Sequence, residues 1–303
     1  TLQDAARSLA RDDIEGCLAL LKKAASLSPQ LPAPQVMLAE FYLRAGNPNE
    51  ARKTLQSVDQ TESHPQFHLT SAKVAFAEGR YDAANEHFAA LASVAPPLGW
   101  TPDQVQEIRE ASYDGLASVA EARQQWQVAA THLERWLRLE PDDVGLRQRL
   151  GRVLLLAGNE AQARAHFEAL HRQDETFNRP DVSVAAIYLQ NGHTEKANSI
   201  LSVALADDPD DVPLRFATAM AFVYQDKFAE AEEHAQQLEA SGHRSIKLAL
   251  LRSQIAWAMG EYDRAAAYAS LALREDENNA EARYRYIVAL AAQKAKRKDA
   301  LAL

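Results

Sequence analysis

Nine histidines, one cysteine and 42 carboxylates could do chemistry in this 303-residue chain, and their spacing limits what they can do. His64 and His68 stand four apart, which would bring two imidazoles onto one helix face. Pro65 lies between them near a helix start, however, and no third metal ligand is at hand. His166 and His171, five apart, are worse placed. The acidic runs Asp142-Asp143 and Asp207-Asp208-Pro209-Asp210-Asp211 fall between helical patterns, where carboxylates end one helix and cap the next. Glycines occur singly, so no phosphate-cradling loop is present. The expectation is a chain with no catalytic constellation, no cofactor and no metal.

The composition names the elements that must carry whatever the chain does instead. Alanine fills 58 positions, against 11 glycines and 7% aromatics. Alanine has no side-chain freedom to lose and lets helices approach closely, so this excess favours helix. The balance of 33 basic and 42 acidic residues leaves a net charge of -9, which argues against a partner held by phosphate neutralisation. One cysteine forms no intramolecular disulfide and reveals no redox compartment. Apolar runs such as Val153-Leu154-Leu155-Leu156-Ala157 are too short for a membrane span. The chain starts at Thr1 in helix-like sequence, and reads as an excised or processed piece of a longer protein. On this reading it is soluble, cytoplasmic or periplasmic, with any N-terminal targeting segment removed.

A repeat organises the whole sequence. Aligned on the turn between two helical patterns, the series begins at Asp12, Gly46, Gly79, Gln124, Gly158, Gly192, Asp226 and Gly260. The steps are 34, 33 and 45 residues, then 34 four times over. Five residues after each start comes a small side chain: Cys17, Ala51, Ala84, Ala129, Ala163, Ala197, Ala231 and Ala265. Four further on stand Leu21, Leu55, Phe88, Leu133, Phe167 and Leu201, with Ala235 and Ala269 as departures. Small residues belong where two helix axes come closest, and large ones beside them. Cys17 is thereby expected to be a buried, inert thiol. A single helix pair cannot bury its apolar face, so neighbours must stack on it.

The residues Leu150-Gly151, Gly158, Ala163, Phe167 and Leu170 in one unit, and Val184-Ala185, Tyr188, Gly192, Ala197, Leu201, Ala204 and Pro209 in another, resemble the tetratricopeptide repeat family. The resemblance covers essentially the whole chain. It departs from the pattern at Glu175, His243 and Glu277, where the terminal proline is missing. It implies an all-α solenoid, a right-handed superhelix of about eight 34-residue helix-turn-helix units plus a C-terminal helix. The units expected are 1–31, 32–64, 65–98, 110–143, 144–177, 178–211, 212–245 and 246–279, with terminal or capping helices over 280–303. Lys294, Lys296, Arg297 and Lys298 then form a solvated end.

The 45-residue step carries an insertion at 99–109. Thr101-Pro102-Asp103-Gln104 combines an N-cap, a proline at the first helical position and a capping-box glutamine. The following helix pattern runs to about Arg123, so the insertion prolongs that helix. Two readings stand: a tolerated elongation, or a protrusion whose Trp100 meets a partner.

The resemblance also implies a concave face lined by the first helix of each unit. At its positions the N-terminal half carries charges, among them Lys73 and Arg152, and the C-terminal half is apolar. Val182, Phe216, Met220, Tyr224, Leu250, Gln254, Trp257 and Tyr284 are the candidate partner-binding residues there. No three consecutive units show the Lys and Asn pattern by which some members grip a terminal carboxylate. The functional expectation is a non-catalytic scaffold that binds a protein or peptide partner in this groove within a larger assembly, with no nucleic acid and no membrane span. The alternatives are a self-assembling module, or a regulatory domain from a larger enzyme or an envelope export protein for polysaccharide secretion.

Overall fold

The computed structural model describes residues 2–59 and 64–301, with side chains up to Lys294. The side chains of Lys296, Arg297 and Lys298 lie outside the described residues. All regular structure among the described residues is helical. The chain forms two compact units, Thr1–Glu160 and Ala161–Leu303. In the first lie α1 (Leu2–Ala10), α2 (Ile14–Leu27), α3 (Pro34–Arg44), α4 (Pro48–Gln56), α5 (Pro65–Ala77), α6 (Tyr81–Ala90), α7 (Pro102–Ala122), α8 (Trp126–Leu137) and α9 (Val144–Leu156). At the boundary starts α10 (Glu160–Gln173). The second unit continues with α11 (Pro180–Gln190), α12 (Thr194–Asp207), α13 (Val212–Val223), α14 (Phe228–Ala240), α15 (Ile246–Ala258), α16 (Tyr262–Glu275) and α17 (Ala280–Leu301).

The turn residues explain why the helices pair. Asp12, Gly46, Gly79, Gln124, Gly158, Gly192, Asp226 and Gly260 all have φ between +57° and +86°. Each residue that follows donates its N–H to the carbonyl five positions earlier in the preceding helix, as Asn47 does to Tyr42 and Asn159 to Leu154. This left-handed C-terminal motif satisfies otherwise orphaned carbonyls and turns the chain back along the helix it has just left.

The small residues then set the spacing. Cys17, Ala51, Ala84, Ala129, Ala163, Ala197, Ala231 and Ala265 are all fully buried. Beside them Leu21, Phe88, Leu133, Phe167 and Leu201 are buried as well, each such side chain worth about 1.5–3 kcal/mol of transfer free energy. Ala235 and Ala269, the departures from the bulky pattern, are fully buried too. Burial pushes the Cys17 thiol above its ordinary pKa, with the charge of Asp13 adding to the effect.

Acidic caps start several helices. Asp143 accepts the Leu146 N–H at 2.7 Å, and Asp211 accepts that of Leu214 at 2.7 Å. At α7 both halves of the capping box form: Gln104 N–H to Thr101 Oγ1 and Thr101 N–H to Gln104 Oε1. The 21-residue α7 is seated rather than free, because Ile108 and Ala111 pack on the Phe88–Leu116 core and Gln106 donates to Glu140 at 2.6 Å.

Candidate functional site

Within the second unit α11 packs on α13, α13 on α15, and α15 on α17. Two cavities open along this series. The first, about 390 Å³, lies over α11 and α13, and Val182, Phe216, Met220 and Tyr224 all line it. The second, about 280 Å³, lies between α15 and α17, and Gln254, Trp257 and Tyr284 line it. The structure therefore brings seven of the eight apolar-half candidates into two groups.

Their exposures differ. Tyr224, Trp257 and Tyr284 are 55%, 47% and 69% exposed, whereas Phe216 and Met220 are half-buried and also contact the Leu248–Ile255 core. Val182 is buried, so it forms a floor instead of an accessible anchor. Leu250 is half-buried and belongs to neither group of lining residues.

The charged candidates of the first unit behave otherwise. Arg152 donates to Glu121 Oε2 at 2.7 Å. Its neighbour Arg149 binds the other Glu121 oxygen at 2.6 Å, Asp114 at 2.6 Å and the Ser118 hydroxyl at 2.8 Å. Burial pulls the Arg149 guanidinium down in pKa, but its bonds to Asp114 and Glu121 outweigh that and leave it raised. This lattice ties α7 to α9 and occupies the charges there. Lys73 is exposed on α5 with no ion pair among the described residues. Trp100 is half-buried, its ring edge-on to His64 at 5.5 Å, and Leu98 in the same loop is 98% exposed.

Sequence reasoning missed His243, Ser245 and Lys247 in the larger cavity, and Arg285 in the smaller. Lys247 stands at position two of its unit, so the repeat frame contained the signal. His243 and Ser245 sit in the loop before α15, outside the first-helix positions from which the candidates were chosen.

Among the described residues no group of three or more His, Cys, Asp or Glu side chains could hold a metal ion. No helix among the described residues is long and apolar enough to cross a membrane. His68 faces His87 across α5 and α6, Nδ1 to Nδ1 at 3.3 Å, and not His64. The two rings share one hydrogen bond.

Two family models, both described as tetratricopeptide repeat, match the chain, one over residues 8–74 and the other over 115–176 and 250–303. The chain belongs to the tetratricopeptide repeat family. Such membership implies, in general, a scaffold for protein–protein interaction. No curated protein matches. Solved structures with a similar fold include the C-terminal part of a TPR repeat-containing protein from Cytophaga hutchinsonii, 13% identical, covering 94% of this chain and 99% of that one, with a TM-score of 0.47. A tetratricopeptide repeat protein from Parabacteroides merdae is 16% identical over 84% of this chain and 97% of its own, with a TM-score of 0.43. A thermophilic TPR protein from Thermus thermophilus is 22% identical over 60% of this chain and 99% of its own, with a TM-score of 0.39.

Proposed function

We propose that this chain is a non-catalytic scaffold that holds a peptide or helix of a protein partner on the face formed by α11, α13, α15 and α17, within a larger assembly. The observation that supports this is the contrast between the two units. In the first, Asp114 and Glu121 on α7 and Arg149 and Arg152 on α9 are taken up by one another. In the second, aromatic and methionine side chains line open cavities with about half their surface still in solvent at Tyr224 and Trp257. Aromatic and methionine anchors in partly desolvated pockets are what helix-in-groove recognition uses. The test is co-purification from the native cell with tagged wild type and with the double variant Phe216→Ala/Trp257→Ala. The variant should fold, by its circular dichroism and melting, and lose partners that Val203→Ala retains. Retention of every partner by the folded double variant overturns the proposal.

Self-association is the second reading, and exposed apolar side chains favour it: Leu98 at its loop tip, and Tyr284, Ile287 and Leu290 along α17. Light scattering after size exclusion at several concentrations separates the two. A concentration-independent monomer removes self-association.

A further inference from the structure

Charge is distributed unevenly around the two cavities. The chain has 42 acidic residues, yet among the described residues lining either cavity none is Asp or Glu. Their charged or chargeable members are Lys247, His243 and Arg285. Three carboxylates at the starts of the same helices are already ion-paired, and Glu239, which shares a neighbouring recess with His243 and Ser245, takes Arg252. Asp181 takes Arg164 at 2.6 Å, Asp211 takes Arg179 at 2.9 Å, and Glu281 takes Arg285 at 2.9 Å. Lys247 is exposed and has no ion pair among the described residues. It stands in the first turn of α15, where the helix dipole already presents positive charge and a cation is unfavourable. Its ammonium is therefore left facing solvent beside the larger cavity, where a negatively charged ligand group could pair with it.

We infer that the groove selects an acidic amphipathic peptide, whose apolar side chains enter the cavities of Phe216–Met220 and Trp257–Tyr284 and whose carboxylate meets Lys247. This rests on the groove reading above and adds the chemistry of the partner. The apolar cavities supply contact area, and the unpaired lysine supplies discrimination, since a basic peptide would meet a like charge there. Salt should weaken the preference, because Lys247 is solvent-facing and screened.

The experiment is a selection of randomised phage-displayed peptides on the full chain, repeated on Lys247→Glu and on Phe216→Ala/Trp257→Ala. Melting curves verify that each variant folds. Binding of the enriched peptides is then measured by fluorescence anisotropy at low and high salt. The expected result is enrichment of Asp or Glu beside apolar anchors, with binding about tenfold weaker to Lys247→Glu and the acidic bias lost from selections on that variant. Enriched peptides that need Phe216 and Trp257 but carry no acidic bias overturn this inference and leave the groove reading standing. Enriched peptides that bind the double alanine variant as well as wild type overturn the groove reading itself.

Discussion

Arg252 and Glu232 are ion-paired at 2.7 Å with both side chains more than nine-tenths buried. Arg264 reaches the same Glu232 oxygen at 2.6 Å, and the Arg252 guanidinium lies 4.3 Å from the centre of the Tyr268 ring. Three helices, α14, α15 and α16, are pinned at this point. Removing Arg252 leaves the buried Glu232 with only the half-exposed Arg264, so Arg252→Met should destabilise the chain toward the lower end of about 3–5 kcal/mol. Adding Glu232→Leu should recover most of that loss, because two apolar groups leave no charge stranded. Urea unfolding of the two variants checks this, and equal stability of the single and double variants would contradict it.

Two pH windows follow from the buried titratable groups. Burial lowers the pKa of His68, His87, His132 and His234. At His87, the charges of His68 and Arg80 push the same way and Glu86 opposes them. The folded state thus favours neutral rings, so their contribution is complete above the unfolded histidine value of about 6.5 and is lost as pH falls below it. Burial pushes Glu232 up, but bonds from Arg252 and Gln236 and the charges of Arg252 and Arg264 outweigh it and hold the carboxyl low. Its contribution is present above the unfolded glutamate value of about 4.3 and is lost as pH falls through the folded one. The urea midpoint should decline in two stages, the first flattened by His68→Gln/His87→Gln and the second by Glu232→Gln. A midpoint constant from neutral pH down to about 5 would contradict the first stage.

Gly115 in α7 lies against Phe88, and a Cβ there would come within 2.2 Å of the ring. The neighbouring Ser112 hydroxyl donates to the Phe88 carbonyl at 2.7 Å, so the two helices cannot simply slide apart. Gly115→Ala should cost about 1–3 kcal/mol by overpacking. Phe88→Leu in the same chain should return part of it, as thermal melts of the single and double variants would show.

Gln124 occupies the left-handed region at φ +58°, where five of its counterparts are glycine. Gln124→Gly should therefore raise stability by about 0.5–1 kcal/mol, the steric relief exceeding the entropy of the added glycine. Gly158→Ala should lower it by about 1 kcal/mol, and this cost is conformational, since a Cβ there meets nothing within 4 Å. Denaturant midpoints that move in the opposite directions would contradict the account of these turns.

How much of this was legible beforehand differs by level. The turn starts, the small residues and the bulky ones announced the helix pairs, because each is dictated by a backbone angle or a closest approach that recurs every 34 residues. Ala163 and Ala265 could be placed in the core from spacing alone, and both are fully buried. Phe216, Met220, Trp257 and Tyr284, chosen from their places in the first helices, each line one of the two cavities. Accessibility was not legible: Val182 and Phe216 hold the same position in successive units, yet one is buried and the other half-exposed, which depends on the side chains packed around each. The clamp on Arg152 was equally hidden, since Glu121 lies 31 residues away on another helix. The partner of Trp100 was hidden in the same way, since the His64 ring belongs to a different helix start.

The most direct measurement places a photo-crosslinking amino acid at Tyr224, at Tyr284 and, as a control on α12, at the 62% exposed Val203, in the full chain within its native cell. The groove account predicts one shared partner band crosslinked from Tyr224 and Tyr284, absent from Val203 and lost when Phe216→Ala is added. Adducts of equal yield from all three positions, or none from Tyr224 and Tyr284 while Val203 crosslinks, would contradict it.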